Sequence, residues 1–459
     1  MYQMNFSQPA KVHFIGIGGI SMSGLAELLL DRGFAVSGSD SHESALTGHL
    51  QEKGAEVMIG QRAENVKEDV DVVVYTAAVH PDNPEYQEAE RRNLPILSRA
   101  ELLGQIMRNY RQAVAIAGTH GKTTTTSMIS EICLTAGVDP TITVGGMLPA
   151  IGGNIRIGGP DCFIAEACEY TNSFLQFAPT IGVILNIRAD HLDFFKDLDD
   201  IRHSFRRFAE LLPADGCLVI SGEIENLSEI TEGLPCKIVT FGLDGDVDYQ
   251  AVNIRYDEMA CGRFEVLRKR ESLGEFAVSV PGEHNVKNAL AAIAACEALG
   301  LKPDSIRDGL VKYTGVGRRF EKKGERDGVR IYDDYAHHPD EITATLTMAK
   351  NIQKNKLWCI FQPHTYSRTR ALLPEFAEAL SLADEVVLAD IYAARETDTL
   401  GVSSEDIAVL LREKGVPARF LKTFEEIEKY VLANCKAGDL LITMGAGDIV
   451  KVGENLLLR

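Results

Sequence analysis

The sequence predicts an α/β protein of three doubly wound domains in series, spanning residues 1–108, 109–325 and 326–459. Three observations carry that prediction. A length of 459 residues is too great for one hydrophobic core. Short apolar runs alternate with helical patterns along most of the chain, as parallel strands and crossover helices do. Several of the strand-to-helix turns are rich in glycine or polar groups, at the strand ends where open α/β sheets meet ligands.

Composition narrows the function. Apolar content of 45% and charged content of 25% belong to an ordinary globular protein. No apolar window is long enough to span a bilayer and no basic-then-apolar leader opens the chain, so the expectation is a cytoplasmic protein without membrane association. Nine cysteines, without a C-x-x-C pair, suit free thiols better than disulfides or zinc. A net charge of −19 argues against nucleic acid as a partner, so a phosphorylated ligand must be held by local loops and a few cations.

The first domain opens with a β-like run from Lys11 to Ile15, then Gly16-Ile17-Gly18-Gly19-Ile20-Ser21 and a helical pattern to Leu30. A second strand ends at Asp40. This unit resembles the dinucleotide fingerprint, but Gly19 stands where a spacer is usual and the third glycine is displaced. The loop suits NAD, a nucleotide sugar or close helix packing; phosphate binding at the helix start is the preferred reading. The strand Val70 to Tyr75 and the residues Thr76-Ala77-Ala78-Val79 follow, then a helix ending near Arg108. The polar cluster Arg108 to Gln112 marks the first boundary.

The second domain begins with the apolar run Ala113 to Ala117, the loop Gly118-Thr119-His120-Gly121 and a helix start at Lys122-Thr123-Thr124. Backbone N–H groups of such a loop converge on an anion, Lys122 supplies a mobile charge, and the Thr123 hydroxyl is a hard oxygen ligand for Mg²⁺. The common phosphate-loop pattern has glycine where this chain has Ile116, so the match is to a shorter form. Two more strands run into Glu166, with Glu169 as its spare, and into Asn186, with Asp190-His191-Leu192-Asp193 beyond. A carboxylate at a neighbouring strand tip faces the phosphates and holds Mg²⁺; His191 is read as a ligand. Residues 215 to 280 read as a meander of short strands without chemistry.

Asn285 precedes the alanine-rich helix at Ala289; it is either a helix cap or a nucleotide contact. Arg318 and Arg319 offer guanidinium groups suited to a phosphoryl transition state. In the third domain, Asp333-Asp334-Tyr335-Ala336-His337-His338-Pro339 and Gln362-Pro363-His364-Thr365 follow strands, and every strand is read as alternating with a helix.

Taken together, Gly16-Ile17-Gly18-Gly19, Gly118 to Thr124, Glu166, Asn186 with Asp190-His191-Leu192-Asp193, His284-Asn285, Gly317-Arg318-Arg319-Phe320, Asp334 to Pro339 and Gln362-Pro363-His364 resemble the Mur ligase family in order and spacing. The resemblance covers essentially the whole chain. It implies a Rossmann-like N-terminal domain for a UDP-sugar, a P-loop-type central ATPase domain and a Rossmann-like C-terminal domain for an amino acid. The tandem His337-His338 and Gln362-Pro363-His364 are most similar to the member that joins L-alanine to UDP-N-acetylmuramate with ATP, through an acyl phosphate. The alternative within the family is the ligase that adds a recycled murein tripeptide to the same sugar. A dehydrogenase or a silent nucleotide sensor leaves part of this set unexplained.

Carried over by position, the resemblance places ATP on Gly118, Thr119, His120, Gly121, Lys122, Thr123 and Thr124, with Asn285, Arg318 and Asp333 on the nucleotide side. It places Mg²⁺ on Thr123, Glu166 and His191, and the catalytic cations on Lys122, Arg318 and Arg319, the last two interchangeable. Gly18, Gly19, Ser21 and Asp40 would hold the UDP-sugar, and Tyr335, His337, His364 and Arg368 the L-alanine. A monomer or weak homodimer is expected. The chain departs from the family at Phe205, where other members carry a lysine that becomes carbamylated and holds a metal; the alanine-adding member resembles its relatives without it. It departs again at Thr365, where relatives commonly carry arginine, leaving Arg368 as the partner for the alanine carboxylate.

Overall fold

A computed structural model of the chain describes residues 2–76, 78–192, 194–394 and 396–458, so Ala77 and Asp193 lie outside the described residues. The chain forms two compact units, residues 1–248 with 291–309 and residues 249–290 with 310–459.

The first unit contains β1 (Lys11–Ile15), β2 (Ala35–Asp40), β3 (Glu56–Ile59), β4 (Val72–Tyr75) and β5 (Ile96–Ser98). They form a parallel sheet in the order β3-β2-β1-β4-β5. The order reverses at β1, where the glycine loop leaves the sheet, the place at which doubly wound sheets open a crevice. The same unit holds β6 (Gln112–Ala117), β7 (Thr141–Leu148), β8 (Gly153–Arg156), β9 (Cys162–Glu166), β10 (Ile181–Ile184), β11 (Cys217–Ser221) and β12 (Lys237–Gly242). These run in the order β12-β11-β10-β6-β9-β7-β8, all parallel except the β7–β8 hairpin. β6 therefore lies between β9 and β10, with Ile116 opposite Glu166 and Ala117 opposite Ile184. One apolar cluster runs from Val12 and Phe14 through Leu102 and Ile106 to Phe174 and Phe205, and it fixes these strand ends together.

The second unit holds an antiparallel ribbon of β13 (Tyr249–Tyr256), β14 (Cys261–Arg268) and β15 (Glu271–Pro281). It also holds β16 (Glu321–Arg326), β17 (Val329–Asp334), β18 (Leu357–Phe361), β19 (Glu385–Leu388), β20 (Ala418–Phe420) and β21 (Leu440–Met444), in the order β16-β17-β21-β18-β19-β20.

Two sequence expectations are corrected. The segment 215–280 is not one meander, because β11 and β12 are parallel strands and only β13 to β15 fold back on one another. Nor does every strand of the C-terminal half alternate with a helix: β16 pairs antiparallel with β17 across a tight turn at Asp327 and Gly328, both at positive φ. The polar sequence of β16, Glu-Lys-Lys-Gly-Glu-Arg, lacks the apolar alternation that announces a strand.

Candidate active site

The cradle forms where β6 ends. Gly121 adopts the left-handed conformation, φ +84°, that lets the loop turn into the helix Lys122–Thr135 with free N–H groups at its start. Asn186, at the end of β10, clamps the loop from one side: its Oδ1 accepts from the His120 N–H at 2.8 Å and its Nδ2 donates to the His120 carbonyl at 3.0 Å. Thr119 is tied to the same neighbour, its N–H donating to the Asn186 carbonyl at 3.1 Å. The threonine run fits inside a helix because Thr126 Oγ1 donates back to the Lys122 carbonyl at 2.8 Å.

Glu166 arrives from the other side, on β9. Its carboxylate accepts from Thr123 Oγ1 at 3.1 Å and from the Gly145 N–H at 2.7 Å. A Cβ at position 145 would lie 2.6 Å from that carboxylate, so glycine is required for the approach. Lys122 Nζ is folded over the loop, donating to the Gly118 carbonyl at 2.5 Å and the Thr119 carbonyl at 3.0 Å. It pairs with the buried Glu169 at 2.9 Å. Burial works against the Lys122 charge, but Glu169, with Cys168 and Glu166, outweighs it and pushes the ammonium group up. His191, at φ +53°, lies with Nε2 4.0 Å from Glu169 and its ring 4.6 Å from that of Tyr170. Thr123, Glu166, Lys122 and His191 are thus brought to one place.

In the first sheet, the Gly18 N–H donates to Asp40 Oδ2 at 2.9 Å, closing the glycine loop onto the end of β2. Gly19 caps the helix Ile20–Asp31 without a side-chain partner, and Ser21 is exposed in the first turn. The N–H groups of a helix start and a short hydroxyl therefore face outward, suited to a diphosphate.

The second unit gathers the remaining residues. Arg318 and Arg319, interchangeable in sequence, differ in structure. Arg318 Nε donates to the fully buried Asp333 at 3.0 Å, and its terminal nitrogens donate to the carbonyls of Gly445 at 2.6 Å and Gly447 at 3.0 Å. Both guanidinium groups lie over the Tyr335 ring, at 4.9 and 5.0 Å, and Arg319 acts through space on Asp334. Asp334 accepts from the N–H groups of Phe320 and Ala336, each at 2.8 Å, yet burial, opposed by Arg319, raises its pKa to about 6. Asn285 does not precede its helix, which begins at Glu283 rather than Ala289; it is buried in the first turn, its Nδ2 donating to the Pro281 carbonyl at 2.7 Å.

Tyr335, His337, His364 and Arg368 form one cluster. The His337 ring lies 5.5 Å from Tyr335 and 5.9 Å from His364, and Arg368 reaches His364 Nδ1 at 3.5 Å. Burial, with His337 and Arg368 adding to it, pulls His364 down to about 4, so it is a neutral imidazole at pH 7. Thr365 sits at φ +68°, a strained position for a β-branched residue, and its N–H donates to the Tyr392 carbonyl at 2.9 Å.

Two residues carry more than sequence reasoning gave them. Glu169 entered only as a spare for Glu166, and it is the counter-ion of Lys122. Asn186 entered as a strand end and a member of the family's motif order, without a role, and its two hydrogen bonds fix the loop. The signal for both was position beyond a strand adjacent to β6.

Comparison with known proteins agrees with this geometry. The Mur ligase family catalytic domain matches residues 11–111, the Mur ligase middle domain residues 116–296, and the Mur ligase glutamate ligase domain residues 318–447. The chain is 58% identical over 458 residues to a UDP-N-acetylmuramate–L-alanine ligase of Lachnospira eligens, covering 100% of each. It superposes on the crystal structure of a UDP-N-acetylmuramate-alanine ligase from Thermotoga maritima with a TM-score of 0.81 at 31% identity, covering 98% of each chain. A murein peptide ligase from Psychrobacter arcticus shares the fold at TM-score 0.71 and 24% identity, over 98% of each chain. Sequence, fold and site geometry agree: the chain belongs to the Mur ligase family.

Proposed function

We propose that this protein joins L-alanine to UDP-N-acetylmuramate at the expense of ATP, releasing ADP and phosphate, in the assembly of peptidoglycan precursors. The observation that carries the reading is the Thr123–Glu166 pair, 3.1 Å apart beside Lys122 in a backbone cradle, in a chain 58% identical over its length to a ligase of that name. The murein peptide ligase reading is the weaker one, since that likeness is 24%.

The cradle from Gly118 to Thr124 binds the ATP phosphates, and Lys122 exchanges Glu169 for them. Thr123 and Glu166 present hard oxygen donors and suit Mg²⁺, with His191 as a further ligand; the ion would neutralise phosphate charge. Gly18, Gly19, Ser21 and Asp40 hold the UDP-sugar. A carboxylate oxygen of the sugar acid attacks the γ-phosphorus and the bond to the ADP oxygen breaks, so a poor electrophile gains a phosphate leaving group. The alanine ammonium group gives up a proton to water, the resulting amine attacks the acyl carbon, a second proton leaves the nitrogen, and phosphate departs. Tyr335, His337, His364 and Arg368 hold the alanine: Arg368 meets its carboxylate, and the neutral His364 accepts a hydrogen bond from its ammonium group instead of repelling it.

Asn285, Arg318 and Asp333 lie on the nucleotide side. The ties of Arg318 to Asp333, Gly445 and Gly447 suit it to shaping that site, and leave Arg319 as the cation able to follow charge in the transition state. We further propose three domains at 1–108, 109–325 and 326–459, a monomer or weak homodimer, and a cytoplasmic site of action. No helix among the described residues is long and apolar enough to cross a membrane.

The test is phosphate release from ATP with UDP-N-acetylmuramate and either L-alanine or the murein tripeptide. Release with L-alanine, falling at least about 1,000-fold in Lys122→Ala, is expected from the loss of a charge on the transferring phosphoryl group. Release with the tripeptide alone rejects the reading.

A further inference from the structure

The helix Arg99–Met107 opens on a capping box: Ser98 Oγ accepts from the Glu101 N–H at 3.2 Å, and Glu101 Oε2 accepts from the Ser98 N–H at 2.7 Å. The box fixes the first helical residue, Arg99. Its half-buried side chain lines a cavity of about 140 Å³, together with Ser21, Gly145, Asn154, Glu166 and Cys168. Burial works against the guanidinium charge, and the Glu166 carboxylate favours it through space, with no hydrogen bond between them. Among the described residues no carboxylate forms an ion pair with it, whereas Lys122 a short way off is held by Glu169 at 2.9 Å.

A guanidinium kept part-buried without a direct partner is costly, and the cost is recovered when an anion enters. The walls indicate which anion. Ser21 belongs to the loop read as holding the UDP-sugar, and Glu166, bonded to Thr123, borders the cradle read as holding ATP, so the cavity lies between the two proposed ligand sites. The group that must pass between them is the carboxylate of the sugar acid. A planar, two-oxygen anion matches the fork of a guanidinium, which leaves one oxygen free to attack.

We propose that Arg99 receives the lactyl carboxylate of the UDP-sugar and aims it at the cradle. The proposal rests on the functional reading above. It makes Arg99 the residue that distinguishes a sugar acid from a neutral sugar.

The test compares binding of UDP-N-acetylmuramate and of UDP-N-acetylglucosamine, which lacks the lactic acid ether, to the full chain by calorimetry. The unaltered protein is expected to prefer the acid about 10- to 100-fold, the range of a hydrogen-bonded charge. In Arg99→Met that preference collapses to within about threefold while the affinity for the neutral sugar is unchanged, and Arg99→Lys restores part of it. An unchanged preference overturns the proposal, and so does an equal loss for both sugars, which marks a merely structural arginine. If Arg99→Met fails to fold, Arg99→Gln carries the same comparison. Failure of the unaltered protein to bind either sugar rejects the functional reading instead.

Discussion

At the scale of single residues, the site is built from charges that the fold has displaced from water. Asp334 shows how this governs pH dependence. Its carboxyl group is raised from 3.8 to about 6, so the folded protein holds the proton more tightly than the unfolded chain. Its contribution to stability is therefore greatest below pH 4, declines as pH rises through 6, and is level above. The decline is about 3 kcal/mol, from about two units at 1.36 kcal/mol each. Urea titrations of the unaltered protein and Asp334→Asn should show their stability difference falling across pH 4 to 6 and flat from 7 to 9. A difference that rises with pH would contradict the assignment. Sequence spacing identified Asp334 as a member of the loop, but the Arg319 that opposes its burial lies fifteen residues earlier, beyond the reach of any local pattern. The two arginines were inseparable for the same reason, since both lie over Tyr335 and only the fold ties Arg318 to Asp333 and sets Arg319 against Asp334.

At the scale of elements, buried polar links fix the strand ends from which the loops depart. Glu85, fully buried on the helix Pro84–Arg91, accepts from Ser39 Oγ at 2.6 Å, Asn65 Nδ2 at 2.5 Å and the Arg62 N–H at 3.1 Å, and pairs with buried His13 at 3.3 Å. The Ser39 carbonyl in turn accepts from the N–H groups of Gly16 and Ile17 at 2.8 and 2.9 Å. Removing the carboxylate leaves several buried groups unpaired, so Glu85→Ala is expected to lower unfolding stability by about 3–5 kcal/mol. Glu85→Gln, which keeps most of the hydrogen bonds, should cost about 1–3 kcal/mol. Chemical denaturation measures both, and a near-neutral Glu85→Ala would deny the network its role. The glycine loop was legible from its residues, whereas the helix that holds it in place, some sixty-five residues later, was not. The strand-to-helix turns were legible because glycine and threonine mark them; the hairpins β7–β8 and β16–β17 were not, because edge strands need no continuous apolar face.

At the scale of the whole molecule, the order of motifs carried more than any one of them. A lone glycine loop or a lone phosphate cradle suits many activities, and their succession with Glu166, the arginine pair and the histidine segments specifies one family. Phe205 belongs to this scale. It is fully buried, with its ring 5.4 Å from Phe174, which stacks on Phe208 at 4.9 Å. An aromatic stack occupies the position at which the family resemblance, read from the sequence, implies a lysine in other members. A phenyl ring at this place offers no amine to combine with dissolved carbon dioxide. Turnover should be the same in decarbonated buffer as in buffer charged with bicarbonate, as phosphate release will show, and a rate that rises with bicarbonate would point to another lysine. On the function proposed above, a cell growing where carbon dioxide is scarce would keep this ligation at full rate.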